Sequence, residues 1–315
     1  MVATALLTWR PLRVDDVPAW ARLFAAAEEV DDTGELFSEE DLRDDLADPA
    51  LDLAADSVAV LDGDELVAYQ ITLPPADAAG VGPVVASHGV VHPRWRRRGI
   101  GTSLLRRGLE RAGDAGAALM VRVPERDAGA AAVCAAAGMR PARWWSDLRL
   151  DLARPLAPAP APAGVEIVAL GPGYDHGRWD EPLRAAHNAA FADHWGSAAV
   201  GADTWRAMRT GAAAFRPAHS AVACADGEIV AYVLGYEYPS PGPGRELYVG
   251  TVGTLPAWRG RGLARALLTH VLQSAQAAGF ATSVLTVDSQ NATGALGVYE
   301  RVGYVPHRRS VTWLR

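Results

Sequence analysis

Lysine is absent, so all 30 basic residues are arginine. Beside abundant alanine, this reads as a compositional bias and not as a signal for function. Cysteine occurs only at Cys134 and Cys224, in apolar surroundings (AAVCAAAG and SAVACADG) and in no CxxC pair. That pattern excludes a disulfide scaffold and offers no metal-ligand spacing, so no metal is expected and buried, reduced thiols of a cytoplasmic protein are. No stretch approaches the ~20 uncharged apolar residues that cross a bilayer. The start, MVATALLTWRPLRVDD, has no basic region followed by a long apolar run, so neither a signal peptide nor a membrane partner is expected. Positive charge is in deficit, with 37 acids giving a net charge of −7. Residues 1–154 carry 17 Arg against 25 acids, and residues 155–315 carry 13 against 12. Phosphate backbones need positive patches, which argues against a nucleic-acid partner. The acidic run EEVDDTGELFSEEDLRDDLAD reads as solvated helix surface. What remains is ordinary globular material: 315 residues, half of them hydrophobic, enough for two domains of roughly 150 residues each.

The chain repeats itself. LDGDELVAY (Leu61–Tyr69) returns as ADGEIVAY (Ala225–Tyr232), and HPRWRRRGIGTSLL (His92–Leu105) returns as LPAWRGRGLARALL (Leu255–Leu268). One offset pairs Pro93 with Pro256, Trp95 with Trp258, Arg96 with Arg259, Arg98 with Arg261 and Gly99 with Gly262. Two copies at so long a period mean duplicated domains and not a solenoid. Between them ARPLAPAPAPAG (Ala153–Gly164) reads as a stiff, extended linker. The expected domains are therefore 1–152 and 165–315, joined by 153–164.

Each copy predicts the same order. A strand (Thr8–Leu12 or Val165–Leu170) precedes helical segments, and a hairpin follows with Asp-Gly at its turn. A further strand, Pro83–Val91 or Glu246–Thr254, enters an Arg/Gly turn and then an amphipathic helix. Another strand (Ala118–Val123 or Thr282–Val287) and a helix stopping at Gly138 or Gly303 complete the unit. The class is α/β (α+β). The turn is Arg96-Arg97-Arg98-Gly99-Ile100-Gly101 in one copy and Arg259-Gly260-Arg261-Gly262-Leu263-Ala264 in the other. The free N–H groups and positive end of a helix make a phosphate site. Small residues let the backbone close on a pyrophosphate, and flanking arginines add charge-assisted bonds. The Lys-Ser/Thr of a triphosphate-hydrolysing loop is missing, and the spacing is not that of the three-glycine dinucleotide fingerprint.

The pattern V-x-P-x-x-R-R-R-G-I-G (Val91–Gly101) closely resembles motif A of the GCN5-related N-acetyltransferase (GNAT) superfamily. The C-terminal stretch Asn291-x-x-x-Ala295-x-x-x-Tyr299-x-x-x-Gly303-Tyr304 looks like that superfamily's second signature. The resemblance covers both copies, although Thr254 stands where valine or isoleucine is usual. It implies two tandem acyl-CoA N-acyltransferase folds, each a mixed, mostly antiparallel sheet flanked by helices, with acetyl-CoA as cosubstrate. It places the cosubstrate on Val252, Gly253, Thr254, Arg259, Gly260, Arg261, Gly262, Leu263, Ala264, Arg265, Asn291 and Ala295. In copy one the matching residues are Val90, Val91, Arg96, Arg97, Arg98, Gly99, Ile100, Gly101 and Thr102. Asn291 is expected at a helix start and Gly303 at a left-handed stop.

In family enzymes a tyrosine at the place of Tyr299 protonates the departing thiolate, and a phenol with a pKa near 10 is a competent donor at pH 7. Copy one holds Cys134 at that place and Arg126 at the asparagine, which implies a non-catalytic N-terminal and a catalytic C-terminal domain. The layout is similar to that of the mycothiol synthases, tandem actinobacterial members. Those proteins carry a glutamate base on the strand before motif A. Glu246 is the carboxylate available there, yet an ungapped count puts Tyr248 at that place. His194 and Trp195 occupy the region that overlies the acceptor pocket, with Tyr248 a further substrate contact; Tyr236, Glu237 and Tyr238 at the hairpin end are weaker candidates. The function implied is transfer of an acetyl group to a primary amine of a small molecule, such as an amino-sugar, a cysteinyl conjugate or an antibiotic-like amine. The alternatives are a CoA-binding sensor and a protein or peptide N-acetyltransferase. A monomer or a homodimer is expected.

Overall fold

A computed structural model describes residues 7–291 and 294–315. The chain forms two compact units, one of Met1–Trp144 with Arg309–Arg315, the other of Trp145–Arg308.

In the first unit β1 (Thr8–Arg10), α1 (Val17–Asp31), α2 (Glu39–Leu46) and α3 (Leu53–Asp56) precede the hairpin of β2 (Ser57–Asp62) and β3 (Glu65–Thr72). The short β4 (Ala76–Ala78) pairs with β5 (Gly82–Val91), which leads into α4 (Ile100–Asp114), β6 (Ala118–Pro124), α5 (Ala128–Ala136) and β7 (Arg140–Asp151). Gly63 supplies the positive φ of 60° that the hairpin turn demands. Helix α4 buries Leu104, Leu105, Gly108 and Ala112, the face set by its apolar period. The unit's sheet runs β1-β2-β3-β5-β6 and is closed on β6 by residues 310–314, whose partners are 120–124.

The second unit repeats the order with β8 (Glu166–Ala169), α6 (His176–Phe191), α7 (Ala202–Trp205), β9 (Ala221–Ala225), β10 (Glu228–Tyr236), β11 (Arg245–Thr254), α8 (Leu263–Ala277), β12 (Phe280–Asp288), α9 (Ala295–Val302) and β13 (Val305–Leu314). Its sheet is β8-β9-β10-β11-β12, closed by residues 145–151 of β7. Helix α8 buries Leu267, Leu268, Val271, Leu272 and Ala275 beneath the β10–β12 face.

Three expectations change. Residues 145–152 belong to the unit that follows the Pro/Ala stretch and 309–315 to the unit that precedes it, because strand pairing and not the linker sets membership. The closing strands β7 and β13 lie outside the predicted elements. The acidic run is also more than solvated surface. Buried Glu28 accepts from Thr33 and Gly34, Asp41 caps α2 through Ser38, and Asp31 and Asp32 hold arginines.

The parallel strands at each unit's centre pair only part of the way. In the second unit β11 and β12 pair from Arg245–Phe280 to Tyr248–Val284, with Ala281 as an extra residue, and beyond that point they no longer pair with each other. In the first unit β5 and β6 pair only from Val84–Ala118 to Ser87–Val121. The unpaired ends make a wedge. Two irregularities separate the units: the β11–β12 ladder slips by one residue between Arg245 and Glu246, and the β10–β11 ladder carries a bulge. In the β10–β11 ladder Leu234 faces Thr251 while Gly235 faces Val249, so Gly250 is an extra residue, a β-bulge. The β3–β5 ladder is continuous.

Candidate active site

At the end of β11 the chain turns through Gly260 and Gly262, both left-handed at φ 75° and 84°, and enters α8. A side chain at either place would project into open space in front of the loop. The first bond of α8 runs from Ala266 N–H to the Gly262 carbonyl, and no side chain caps the helix. The N–H groups of Leu263, Ala264 and Arg265 are therefore left without intrahelical partners and face the turn. The first unit builds the same turn, with Arg97 at φ 63° in the place of Gly260 and Gly99 at φ 81° in that of Gly262.

The arginines, expected on the phosphates, divide. Arg259 donates to both carboxylate oxygens of Asp193 (2.6 and 2.9 Å), to the Ala190 carbonyl and to the Thr254 carbonyl. Arg96 does the same with Asp31 and Val91. Each first arginine thus braces the turn from behind, against the end of the unit's opening long helix. The Arg259 guanidinium in turn holds the Asp193 carboxyl below its usual range. Arg261 and Arg98 fold back onto the Ala257 and Arg94 carbonyls and lie over Trp258 and Trp95, at 4.5 and 5.8 Å from the ring centres. The backbone N–H groups at the start of the helix remain available to face an anion.

Beside the wedge, Tyr299 on α9 is 8% exposed and shares the core of Leu263 and Leu267. Its ring meets Tyr304 edge-on at 6.1 Å. Burial first, and the nearby Tyr248 phenol second, push its pKa upward, so it stays protonated at neutral pH. Tyr248 is the last β11 residue paired with β12, and it packs on the opposite face of the sheet, the α6 face. Asn291 does not start α9: Gly294, at φ 72°, stands at the helix N-cap, and Ala292 and Thr293 between them lie outside the described residues. Gly303 stops α9 at φ 112°, as expected. Ala295 begins α9 against the same core.

Glu246 lies two residues behind the apex. Its Oε2 accepts from Thr282 Oγ1 at 2.9 Å and stands 3.3 Å from Arg149 Nη2. The structure therefore puts Tyr248, and not Glu246, at the apex; the bulge at Gly250 lies beyond both. His194 lies just past α6, its Nδ1 3.1 Å from the Trp195 carbonyl and its ring 6.2 Å from Trp145. Tyr238 stacks with Tyr236 and meets Tyr248 edge-on at 6.0 Å.

A buried pair escaped the sequence reading. Tyr232, fully enclosed, pairs with Gly253 across the β10–β11 ladder, and its hydroxyl meets His187 Nδ1 at 2.7 Å. His187 is clasped by Phe191 and Trp205 at 4.8 and 5.2 Å, and burial brings its pKa down to about 4, so it is neutral at pH 7. A Cβ on Gly253 would stand 2.7 Å from Tyr232 Cζ and 2.9 Å from its hydroxyl. The first unit has Val90 opposite the matching Tyr69, whose hydroxyl pairs with His88 instead. The legible signal was Gly253 itself, a glycine in mid-strand. Gly253→Val should therefore force Tyr232 off His187 and lower stability by about 1–3 kcal/mol, the usual cost of overpacking. Urea unfolding of the variant checks this, and an unchanged midpoint would show that the ring has room to move.

In the first unit Cys134 is buried among Val85, Leu105, Leu119 and Val123, and burial raises its thiol pKa to about 11. Arg126 donates to Asp32 Oδ2 at 2.9 Å and to the carbonyls of Asp31 and Asp32. With Arg96 also on Asp31, the end of α1 is tied to the turns after both β5 and β6.

The chain matches the model of the Acetyltransferase (GNAT) family over residues 19–139 and again over 181–304. A mycothiol acetyltransferase of Frankia alni is 34% identical over 325 residues, an alignment spanning 98% of this chain and 95% of that protein. One from Tsukamurella paurometabola is 35% identical over 261 residues, covering 77% of this chain and 80% of its own. The solved GCN5-related N-acetyltransferase from Sphaerobacter thermophilus has a TM-score of 0.71 and 27% identity, covering 98% of this chain and 95% of that one. A tandem GNAT protein from the clavulanic acid biosynthesis pathway has the same fold, with a TM-score of 0.71, 22% identity and 98% of both chains covered. With one family match in each unit and relatives aligned along its whole length, this chain belongs to the Acetyltransferase (GNAT) family as a tandem-domain N-acetyltransferase.

Proposed function

We propose that the chain moves an acetyl group from acetyl-CoA to the primary amine of a small polar molecule, and that the second unit does the chemistry. The observation that carries this reading is Tyr299 beside the parting of β11 and β12, where the first unit has an inert Cys134. The turn fits a diphosphate: glycines with open space before them, an uncapped helix and a cluster of backbone N–H groups. Residues 260–265 would hold that group, and the unpaired edge of β11, Val252–Thr254 included, would hold an amide-bearing arm. Bound there, acetyl-CoA supplies an activated thioester. Gly250, out of register with β10, leaves backbone groups uncommitted beside the apex, where a developing oxyanion is best stabilised. Tyr299 then gives its phenolic proton to the departing sulfur. Glu246 is the carboxylate on the strand itself. Its carboxylate is already held by Arg149 and Thr282, so Glu246→Gln should lower kcat by less than Tyr299→Phe.

The relatives named mycothiol acetyltransferase make a cysteinyl amino-sugar conjugate the acceptor to try first. The test is thiol release from acetyl-CoA over a panel of amino-sugars, cysteinyl conjugates, aminoglycosides and peptides, with the product mass checked. An amine-dependent gain of one acetyl group supports the reading. Binding of acetyl-CoA without release for any amine would make the chain a sensor, and release only with peptides would make it a protein acetyltransferase.

A further inference from the structure

The wedge of the second unit is closed on one side only. Toward α8 it is lined by Leu247, Val249, Leu285 and Val287, all buried. On the opposite face, toward α6, Glu246, Tyr248 and Val284 are only half-buried, so an acceptor comes in from that side. Beside it Tyr236, paired with Tyr248 across the β10–β11 ladder, lies against Gly250, where a Cβ would stand 2.7 Å from its ring. Tyr236 is 2% exposed, and its hydroxyl hydrogen finds no acceptor among the described residues. Arg209 comes up to that hydroxyl, but a guanidinium only donates. Arg209 sits in a π-turn, Arg206–Thr210, closed by the Gly211 N–H on the Arg206 carbonyl at 2.7 Å. Turns of this kind are rare and recur at functional sites. A Cβ on Gly211 would stand 2.7 Å from the same oxygen, so the turn needs its glycine. Arg206 and Thr210 both hold Asp180 of α6, at 2.6 and 2.8 Å, which pins the turn to that helix.

Arg209 is half-buried and has no carboxylate partner among the described residues. Arg184, Arg216 and Arg259, half-buried in the same unit, each hold one: Glu181, Glu237 and Asp193. Asp180, on which the turn is pinned, is taken by Arg206, Thr210 and Tyr174. Glu237, next to Tyr236 in sequence, is taken by Arg216 and Arg245. The field of Arg209 reaches instead His187, Tyr232 and Tyr236, none of them charged at neutral pH. A half-buried charge without a counter-ion is costly, and a site that offers donors alone calls for an acceptor group. We propose that Arg209 binds an anionic group, a carboxylate or a phosphate, on the acceptor molecule, whose amine then lies at the wedge. The planar guanidinium takes either anion through two parallel N–H bonds, and Tyr236 braces it from behind. The acceptor class narrows from any small amine to one with an anion a few bonds away, and Arg209 sets that specificity without joining the acetyl transfer. This rests on the proposed reaction for the amine; the anion site itself stands on Arg209 and Tyr236.

The experiment uses the full chain and three sugars on one scaffold: glucosamine, glucosamine 6-phosphate and 2-amino-2-deoxyglucuronate. Calorimetry is done with saturating CoA, so that no acetyl group can move. The wild type should bind one of the two acids at least about tenfold more tightly than glucosamine, and the acid it prefers tells phosphate from carboxylate. Arg209→Gln should weaken binding of that acid about 10–100-fold and leave glucosamine within about twofold, a contrast that a merely structural role would not produce. Arg209→Lys, which keeps the charge and loses the fork, should recover part of the loss. With acetyl-CoA in place of CoA, the KM for the preferred acid should rise by the same factor in Arg209→Gln, while kcat stays within about twofold. Equal affinity of the wild type for the three sugars, no binding of either acid, or a loss in Arg209→Gln that glucosamine shares overturns the anion site. An acid bound through Arg209 with no amine acetylated keeps the site and sinks the reaction. Acetylation of glucosamine with no preference for either acid keeps the reaction and sinks the site.

Discussion

Gly262→Val should weaken acetyl-CoA binding by about 10–100-fold while leaving the fold in place. Gly262 sits at φ 84°, where a β-branched residue costs about 1–3 kcal/mol. The chain relieves that strain by turning the peptide, and the N–H groups at the start of α8 then point elsewhere. Each hydrogen bond lost to a charged group is worth about 1.5–3 kcal/mol, which sets the range. Nothing in the protein lies within 4 Å of a Cβ at Gly262, so steric damage to the core is not expected. Calorimetry with acetyl-CoA, on a variant whose circular dichroism matches the wild type, gives the answer. Unchanged affinity would mean that the turn does not hold the diphosphate.

Tyr299→Phe should lower kcat by at least ~10-fold, toward the 10²–10⁴-fold that general acid catalysis supplies. The ring remains, so its packing on Tyr304 and the core of α8 is kept and acetyl-CoA affinity should hardly move. Only the proton is removed. Without it the sulfur leaves as an unprotonated thiolate, and return of the amine competes with forward collapse. The burial that holds the phenol protonated at neutral pH also keeps water from replacing it easily. Single-turnover measurements separate this step from product release. Equal chemical rates in the two proteins would reduce Tyr299 to packing.

What could be read from the sequence was what short-range chemistry determines. The Asp-Gly hairpins, the strand–turn–helix around Gly99 and Gly262 and the stop at Gly303 each rest on glycine's backbone freedom or on a local apolar period. What stayed hidden depends on pairing across distance. The closing strands were missed and the domain boundary displaced because residues 145–151 find their partners at 282–288 and residues 310–314 find theirs at 120–124. Arg259 reads locally as a phosphate ligand, and only the fold brings Asp193 to it from 66 residues away. Both copies carry an aspartate near the end of the opening long helix, a repeat that would have pointed to the brace. The bulge at Gly250 is invisible in an ungapped count. Tyr232 and His187 read as core, since nothing local announces that a tyrosine ring lies against Gly253.

The most direct test of the account sets the two turns against each other. Gly99→Val and Gly262→Val are compared by thiol release from acetyl-CoA, at sub-saturating concentration, with the best amine of the panel. Both glycines start a helix at positive φ with open space before them, so the two substitutions are equivalent in backbone strain. The account predicts that Gly262→Val loses at least about nine-tenths of the rate, as a tenfold weaker cosubstrate would dictate, while Gly99→Val stays close to wild type. Loss of turnover in Gly99→Val with full activity in Gly262→Val would contradict it and move the chemistry to the first unit.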